Sequence, residues 1–218
     1  MSQGTGQSHQ TGCEAQERSV RERRVSLGED HPETLTAELE LADCLWAQGR
    51  LIAARQLEEH VVKERRRQLG AGHAETLKAI GKLAVSFGAQ GNLAEARALQ
   101  EEVVNGRRTL FGDTDLETLR ARNNLAGTIA AQGDFSAARE LLEDVLSTTC
   151  REYGEEHPDS ITTMSNLAAV LWQAGDQNEA YALQRHVVEM KRRVHGDTSQ
   201  PTQAAAAVLG MMERDAGL

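Results

Sequence analysis

Apolar positions along this chain fall at helical spacing within short stretches, and the stretches then recur as a block. In the first block Leu35, Leu41 and Leu45 lie on one stripe and Leu57, Val61 and Val62 on a second. Gly28 precedes the block, Gly49 divides the stripes and Gly70 follows. Glycine enters the positive-φ conformation that ends a helix, so the pattern predicts helices over about 33–48 and 51–68 joined by a tight turn at Gly49. The unit is a helical hairpin.

The block repeats without insertion. Gly28, Gly70, Gly112, Gly154 and Gly196 stand 42 residues apart, and Gly49, Gly91, Gly133 and Gly175 keep the same step. In register with them run Leu41-Ala42, Leu83-Ala84, Leu125-Ala126 and Leu167-Ala168, the small residues Ala54, Ala96, Ala138 and Ala180, and Val61, Val103, Val145 and Val187. Four units follow, 28–69, 70–111, 112–153 and 154–195. Asp30-His31-Pro32-Glu33 and Glu156-His157-Pro158-Asp159 open the first helix with acids and a proline whose missing N–H costs nothing there. The alanines let the two helices of a hairpin cross closely, and the Leu and Val positions fill the groove to the next unit. No unit buries its apolar face alone, so stacking supplies the core. Residues 13–27 align with a second helix and 196–218 with a first helix, each a half repeat; residues 1–12, polar and rich in Gly, Ser and Gln, read as a disordered tail. The expected fold is all-α: an α-α superhelical solenoid of four helical hairpins with a half repeat at each end.

Composition narrows the function. With 39% apolar residues but only 3% aromatic, the core must be close-packed Ala, Leu and Val, which favours helix on helix. A net charge of −9 argues against a general grip on nucleic acid, which needs a positive surface. No apolar run is long enough to span a bilayer. Cys13, Cys44 and Cys150 are odd in number, far apart and in no CxxC spacing, so neither a disulfide framework nor a zinc site is expected, and a reducing cytoplasm fits.

The succession D-H-P-E-T-L (residues 30–35), x-L-A, Q-G-x-L-x-x-A-x-x-L, V-V and a closing L-G resembles the 42-residue tetratricopeptide repeats of kinesin light chains and their bacterial relatives, over residues 28 to 195. The resemblance implies a protein-binding module whose first helices, the A helices, line a concave face. It places five groove positions in each unit: Thr36, Leu39, Asp43, Trp46 and Ala47 in the first; Lys78, Gly81, Val85, Gly88 and Ala89 in the second. Arg120, Asn123, Gly127, Ala130 and Ala131 follow in the third, and Thr162, Ser165, Ala169, Trp172 and Gln173 in the fourth. Trp46 and Trp172 are equivalent, and either they anchor a partner or they pack as core. Asn124 and Asn166 stand before the Leu-Ala pair, where relatives carry an asparagine that bonds an extended ligand; Glu40 and Lys82 replace it in the first two units. The partner-binding set is therefore Asp43, Trp46, Lys82, Arg120, Asn123, Asn124, Asn166, Trp172 and Gln173, with a protein or peptide as ligand. The Lys/Asn/Arg clamp that some relatives use on a C-terminal carboxylate is not recognisable here.

Other clusters read as structural. Arg65-Arg66-Arg67, Arg107-Arg108 and Lys191-Arg192-Arg193 close successive second helices, the B helices, where positive charge complements the helix dipole. An Arg-lined edge for an acidic partner is the functional alternative. Glu58-Glu59 and Glu101-Glu102 read as solvated surface charge. His31, His73 and His157, with Asp115 in the same slot, are roughly 10 Å or more apart by helix-packing distance, too far to share a metal. No catalytic motif, cofactor site or metal site is expected, and the chain reads as a non-enzyme. The second functional reading is a structural or regulatory segment of a larger assembly. There the open half repeats, halves of one hairpin, allow head-to-tail self-association.

Overall fold

A computed structural model describes residues 4–216 of the 218, with side chains described from Cys13 to Asp215. Among these residues there are ten helices and no strand. They fall into two compact units that divide after Leu110.

The first unit holds α1 (Gly4–Leu27), α2 (Pro32–Ala47), α3 (Leu51–Leu69), α4 (Ala74–Ala89) and α5 (Leu93–Phe111), whose last residue lies past the division. Helix α1 packs on α2, α2 on α3 and α3 on α4. Val20, Ala37, Leu41, Ala42, Leu45 and Ala54 form the buried cluster, with Leu57 packed against it. The expected start of the N-terminal helix was residue 13, yet α1 begins at Gly4. Once a helical turn exists, each added residue gains a hydrogen bond without a new nucleus, so a polar stretch can prolong a packed helix.

The second unit holds α6 (Leu116–Ala131), α7 (Phe135–Tyr153), α8 (Pro158–Ala174), α9 (Gln177–His195) and α10 (Gln200–Ala216). Each helix packs on the next. Ile161, Met164, Val187, Val188, Met190 and Ala205 form its buried cluster.

The small-residue series accounts for the hairpin geometry. Ala42, Ala84, Ala126 and Ala168 on the A helices (α2, α4, α6, α8), and Ala54, Ala96, Ala138 and Ala180 on the B helices (α3, α5, α7, α9), are all completely buried. At these positions the backbones approach too closely for a larger side chain. Among the described residues every positive-φ residue is a glycine of the two 42-step series. Gly70, for example, sits at φ +88° and returns its N–H to the Arg66 carbonyl, which closes the helix.

The histidine slot is a helix cap. His31, His73 and His157 Nδ1 each accept the backbone N–H two residues on, at 3.3, 3.2 and 3.2 Å. Asp115 Oδ1 accepts from Glu117 and Thr118 in the same place. The ring thus does the work of the acid, satisfying one of the donors a helix start leaves open.

Three readings from the sequence are corrected. Cys13 of α1 and Cys44 of α2 are joined in a disulfide, with Cα atoms 5.6 Å apart, so cysteine spacing no longer supports a reducing compartment. The two residues lie 31 apart in sequence and meet only because α1 packs on α2. Glu58 is not surface charge: it is 3% exposed. Arg65 is likewise buried, donating to the Glu75 carbonyl and the Thr36 hydroxyl rather than projecting from the helix end.

A second tie fastens α1. Glu38 of α2 is fully buried, and its carboxylate accepts from Arg24 Nε and Nη2 at 3.0 and 2.7 Å and meets His60 Nδ1 of α3 at 2.7 Å. Such partners offset the cost of burying a carboxylate.

Candidate functional site

In the first unit the A-helix face brings Asp43, Trp46 and Lys82 together. They border a cavity of about 320 Å³ whose other walls are Glu58, Val85 and Ser86. Trp46 is 43% exposed and Val85 47%, so both offer apolar surface to a ligand. Lys82 Nζ donates to Asp43 Oδ1, neutralising that acid. Glu58 has no such partner: neither its Oε2 nor Ser86 Oγ makes a hydrogen bond of good geometry within the protein. Burial pushes the Glu58 carboxyl above the ordinary carboxylate range, and the nearby Ser86 hydroxyl and Lys82 ammonium only partly offset it.

In the second unit Arg120, Asn123 and Asn124 border a smaller cavity of about 180 Å³, with Thr149, Asp159, Thr162 and Thr163 among its walls. Arg120 holds Asp159 with two hydrogen bonds, of 2.7 and 2.9 Å, and Glu117 with a third. These bonds, those to Asp159 first, keep the guanidinium firmly protonated. The fork is therefore already engaged, and an incoming carboxylate would have to displace Asp159. Asn123 is buried and its Oδ1 is an unpaired acceptor. Asn166 and Trp172 are half-buried and Gln173 is exposed; none of the three lines either cavity. Leu39, one of the groove positions the resemblance suggests, is buried.

The sequence missed Glu58 and Ser86. A signal for Glu58 existed: Ala54, Glu58, Val61 and Arg65 follow one another at helical steps along α3, and all four are buried. Reading Glu58 and Glu59 as one acidic pair hides that signal, since only Glu59 is exposed.

Elsewhere, Gly106 stands where the other hairpins carry Glu64, Thr148 and Met190. A Cβ there would meet Leu77 at 2.6 Å, so Leu77 occupies the place a side chain would take; both residues border a slot of about 460 Å³ between the start of α4 and the end of α5. The basic clusters make ion pairs at the surface: Arg66 pairs with Glu102, Arg192 with Asp197 and Arg193 with Glu189. Asp30, His60 and Glu64 bring donor atoms within 4.8 Å of one another. Arg67 already bridges the two carboxylates, at 3.0 and 2.6 Å, so a guanidinium holds the place a cation would take. Among the described residues no helix is long and apolar enough to cross a membrane.

Paired helices with alanine crossings, glycine turns and a 42-residue step define a helical-repeat protein whose side chains meet on the A-helix face. The tetratricopeptide repeat model matches residues 5–67, 75–151 and 117–193, and the chain belongs to that family. Among solved structures it is similar to a putative kinesin light chain from Podospora anserina with nearly identical TPR-like repeats. That protein is 27% identical at a TM-score of 0.73, with 87% of this chain and 90% of that chain covered. BtubC (BKLC) from P. vanneervenii is similar in fold, at 18% identity and a TM-score of 0.76 over 96% of this chain and 84% of that one. A Rap protein complexed with competence and sporulation factor shares the fold at 11% identity and a TM-score of 0.68, covering 100% of this chain and 62% of that one. No curated protein matches the chain. The family is one of non-enzymatic repeat scaffolds for protein–protein interaction.

Proposed function

We propose that this chain binds a peptide or a segment of a partner protein on its A-helix face. The observation that carries the reading is Trp46: a large aromatic, 43% exposed, at the mouth of a cavity that also presents charged groups. Exposed aromatics beside a pocket are the residues that anchor partners, and isolated surface display of a Trp costs solvation without return. The unpaired Asn123 Oδ1 in the second unit supports the same use, as an acceptor for a backbone N–H. The Rap protein's complex with competence and sporulation factor is a precedent for the fold alone. The test is a random-peptide display selection on the whole chain, repeated on Trp46→Ala. Peptides that bind the native chain and lose the variant, with the variant's circular dichroism unchanged, support the reading; equal binding to both refutes it.

Assembly through the terminal helices is the second reading. Val208 and Met211 of α10, and Val25 and Leu27 of α1, are 43%, 55%, 89% and 43% exposed, which is apolar surface a second copy could cover. Light scattering after size exclusion decides it: a mass that climbs with concentration supports association, and a constant monomer mass refutes it.

A further inference from the structure

The first-unit cavity contains a buried acid that no cation hydrogen-bonds. Glu58 is 3% exposed and its Oε2 is unpaired, as is the Ser86 hydroxyl. The charges nearby are committed elsewhere: Lys82 to Asp43, and Arg55 to Gln90 and Glu59. Leaving a buried carboxylate oxygen without a hydrogen bond of good geometry is costly, and a partner that supplied donors would recover that cost.

Comparison among the hairpins shows that packing does not demand an acid here. The positions equivalent to Glu58 are Gln100, Leu142 and Gln184, all buried and all uncharged. Gln184 Nε2 donates across to the Ala205 carbonyl of the following helix at 2.9 Å; an ionised Glu58 has no proton to give in that way. Only the first hairpin places a negative group at this site, and there Glu58 forms part of a cavity wall.

Resting on the reading that a segment binds the A-helix face, we propose that this cavity receives a lysine or arginine side chain from that segment, its cationic head on Glu58 Oε2 and Ser86 Oγ and its methylene stem along Trp46 and Val85. The fit is chemical at both ends. Lysine brings three donors and arginine five, to a carboxylate oxygen and a neighbouring hydroxyl that make no hydrogen bond of good geometry. Trp46 gives an indole face that attracts a cation, and Val85 an apolar wall for the stem. At about 320 Å³ the cavity lies at the small end of ligand pockets, roughly 300–1,000 Å³, which suits one side chain. An acidic side chain would meet Glu58 and Asp43 without a free cation to pair with. A purely apolar one would leave the carboxylate unsatisfied.

The test uses peptides selected by display on the whole chain, resynthesised and titrated by the fluorescence of Trp46 in a Trp172→Phe background. The expected result is a shared Lys or Arg, whose replacement by norleucine weakens binding to the native chain by about 30-fold or more. On Glu58→Gln the same replacement should cost only a few-fold, because the charge it pairs with is gone. Glutamine at this position is native to two other hairpins, so the variant is expected to fold, and the norleucine comparison on the native chain needs no variant. Peptides that perturb Trp46 yet share no basic residue, or a norleucine loss equal in both proteins, overturn the inference while leaving A-helix-face binding intact. Failure to select any peptide, or selection only of peptides indifferent to Trp46→Ala, overturns both.

Discussion

Reducing the Cys13–Cys44 disulfide should loosen α1 selectively. The bond closes a loop of 31 residues, and the loop-entropy relation gives about 12 cal/mol/K for that length, or about 3.7 kcal/mol at 25 °C, lost from the folded state's advantage on reduction. Reduction leaves the packing of Val20 and the Arg24–Glu38 pair in place, so the helix is weakened rather than deleted. Because repeat stacks are stabilised between neighbours, the loss should be local. Amide exchange in α1 should accelerate by up to about 500-fold, the equivalent of 3.7 kcal/mol, while α8 and α9 keep their protection. The bond itself is checked by alkylating unfolded, unreduced protein: one of the three cysteines, Cys150, should react, and all three after reduction. Three modified cysteines before reduction would refute the pairing. One modified cysteine, followed by unchanged α1 exchange on reduction, would refute the claim that the loop restraint holds the helix.

Glu58 predicts a pH dependence. Its folded pKa is raised, chiefly by burial, so between the unfolded and folded values the native state binds more protons and stability falls as pH rises. Urea unfolding should find Glu58→Gln more stable than the native chain at pH 7, with the gain vanishing below pH 4.5; a gain constant across that window would exclude the mechanism. Replacing the His73 cap by Asp, as at Asp115, should raise stability by roughly 0.3–1 kcal/mol through the carboxylate's interaction with the helix start, read as a higher melting temperature, and a lower one would contradict the capping account. Leu142, fully buried, should cost about 2–5 kcal/mol as Leu142→Ala; a urea-denaturation loss below about 1 kcal/mol would mean the core is not packed as described.

The repeat frame was legible because each of its signals is local. A glycine at a helix end, an alanine at a crossing and a leucine at helical spacing act within a few residues, and the 42-residue step multiplies every one of them. The positive-φ glycines and the fully buried alanines follow directly. What escaped depends on contacts between helices. Nothing near Cys13 announces Cys44, since α1 must dock on α2 before the sulfurs meet. Glu58 and Arg65 carry surface chemistry into buried positions, and a reading by residue type sends them to solvent although the phase of α3 points them inward. Of the expected binding residues, Asp43, Trp46 and Lys82 converge, as do Arg120, Asn123 and Asn124. Asn166, Trp172 and Gln173 were assigned by alignment with the repeat alone, and they border neither cavity.

The order in which helices pack has a consequence for how the chain is made. Within each unit a helix rests mainly on its neighbours in sequence, so nearly every contact forms between segments close in the chain, the arrangement that folds fastest. At about 5–20 residues per second a 42-residue hairpin takes on the order of 2–8 s to synthesise, whereas helices form in microseconds. Each hairpin therefore has ample time to dock on the segment made before it while its successor is still being synthesised. Cys13 and Cys44 both emerge with the first of them, so the cross-link can close while most of the chain is still unmade.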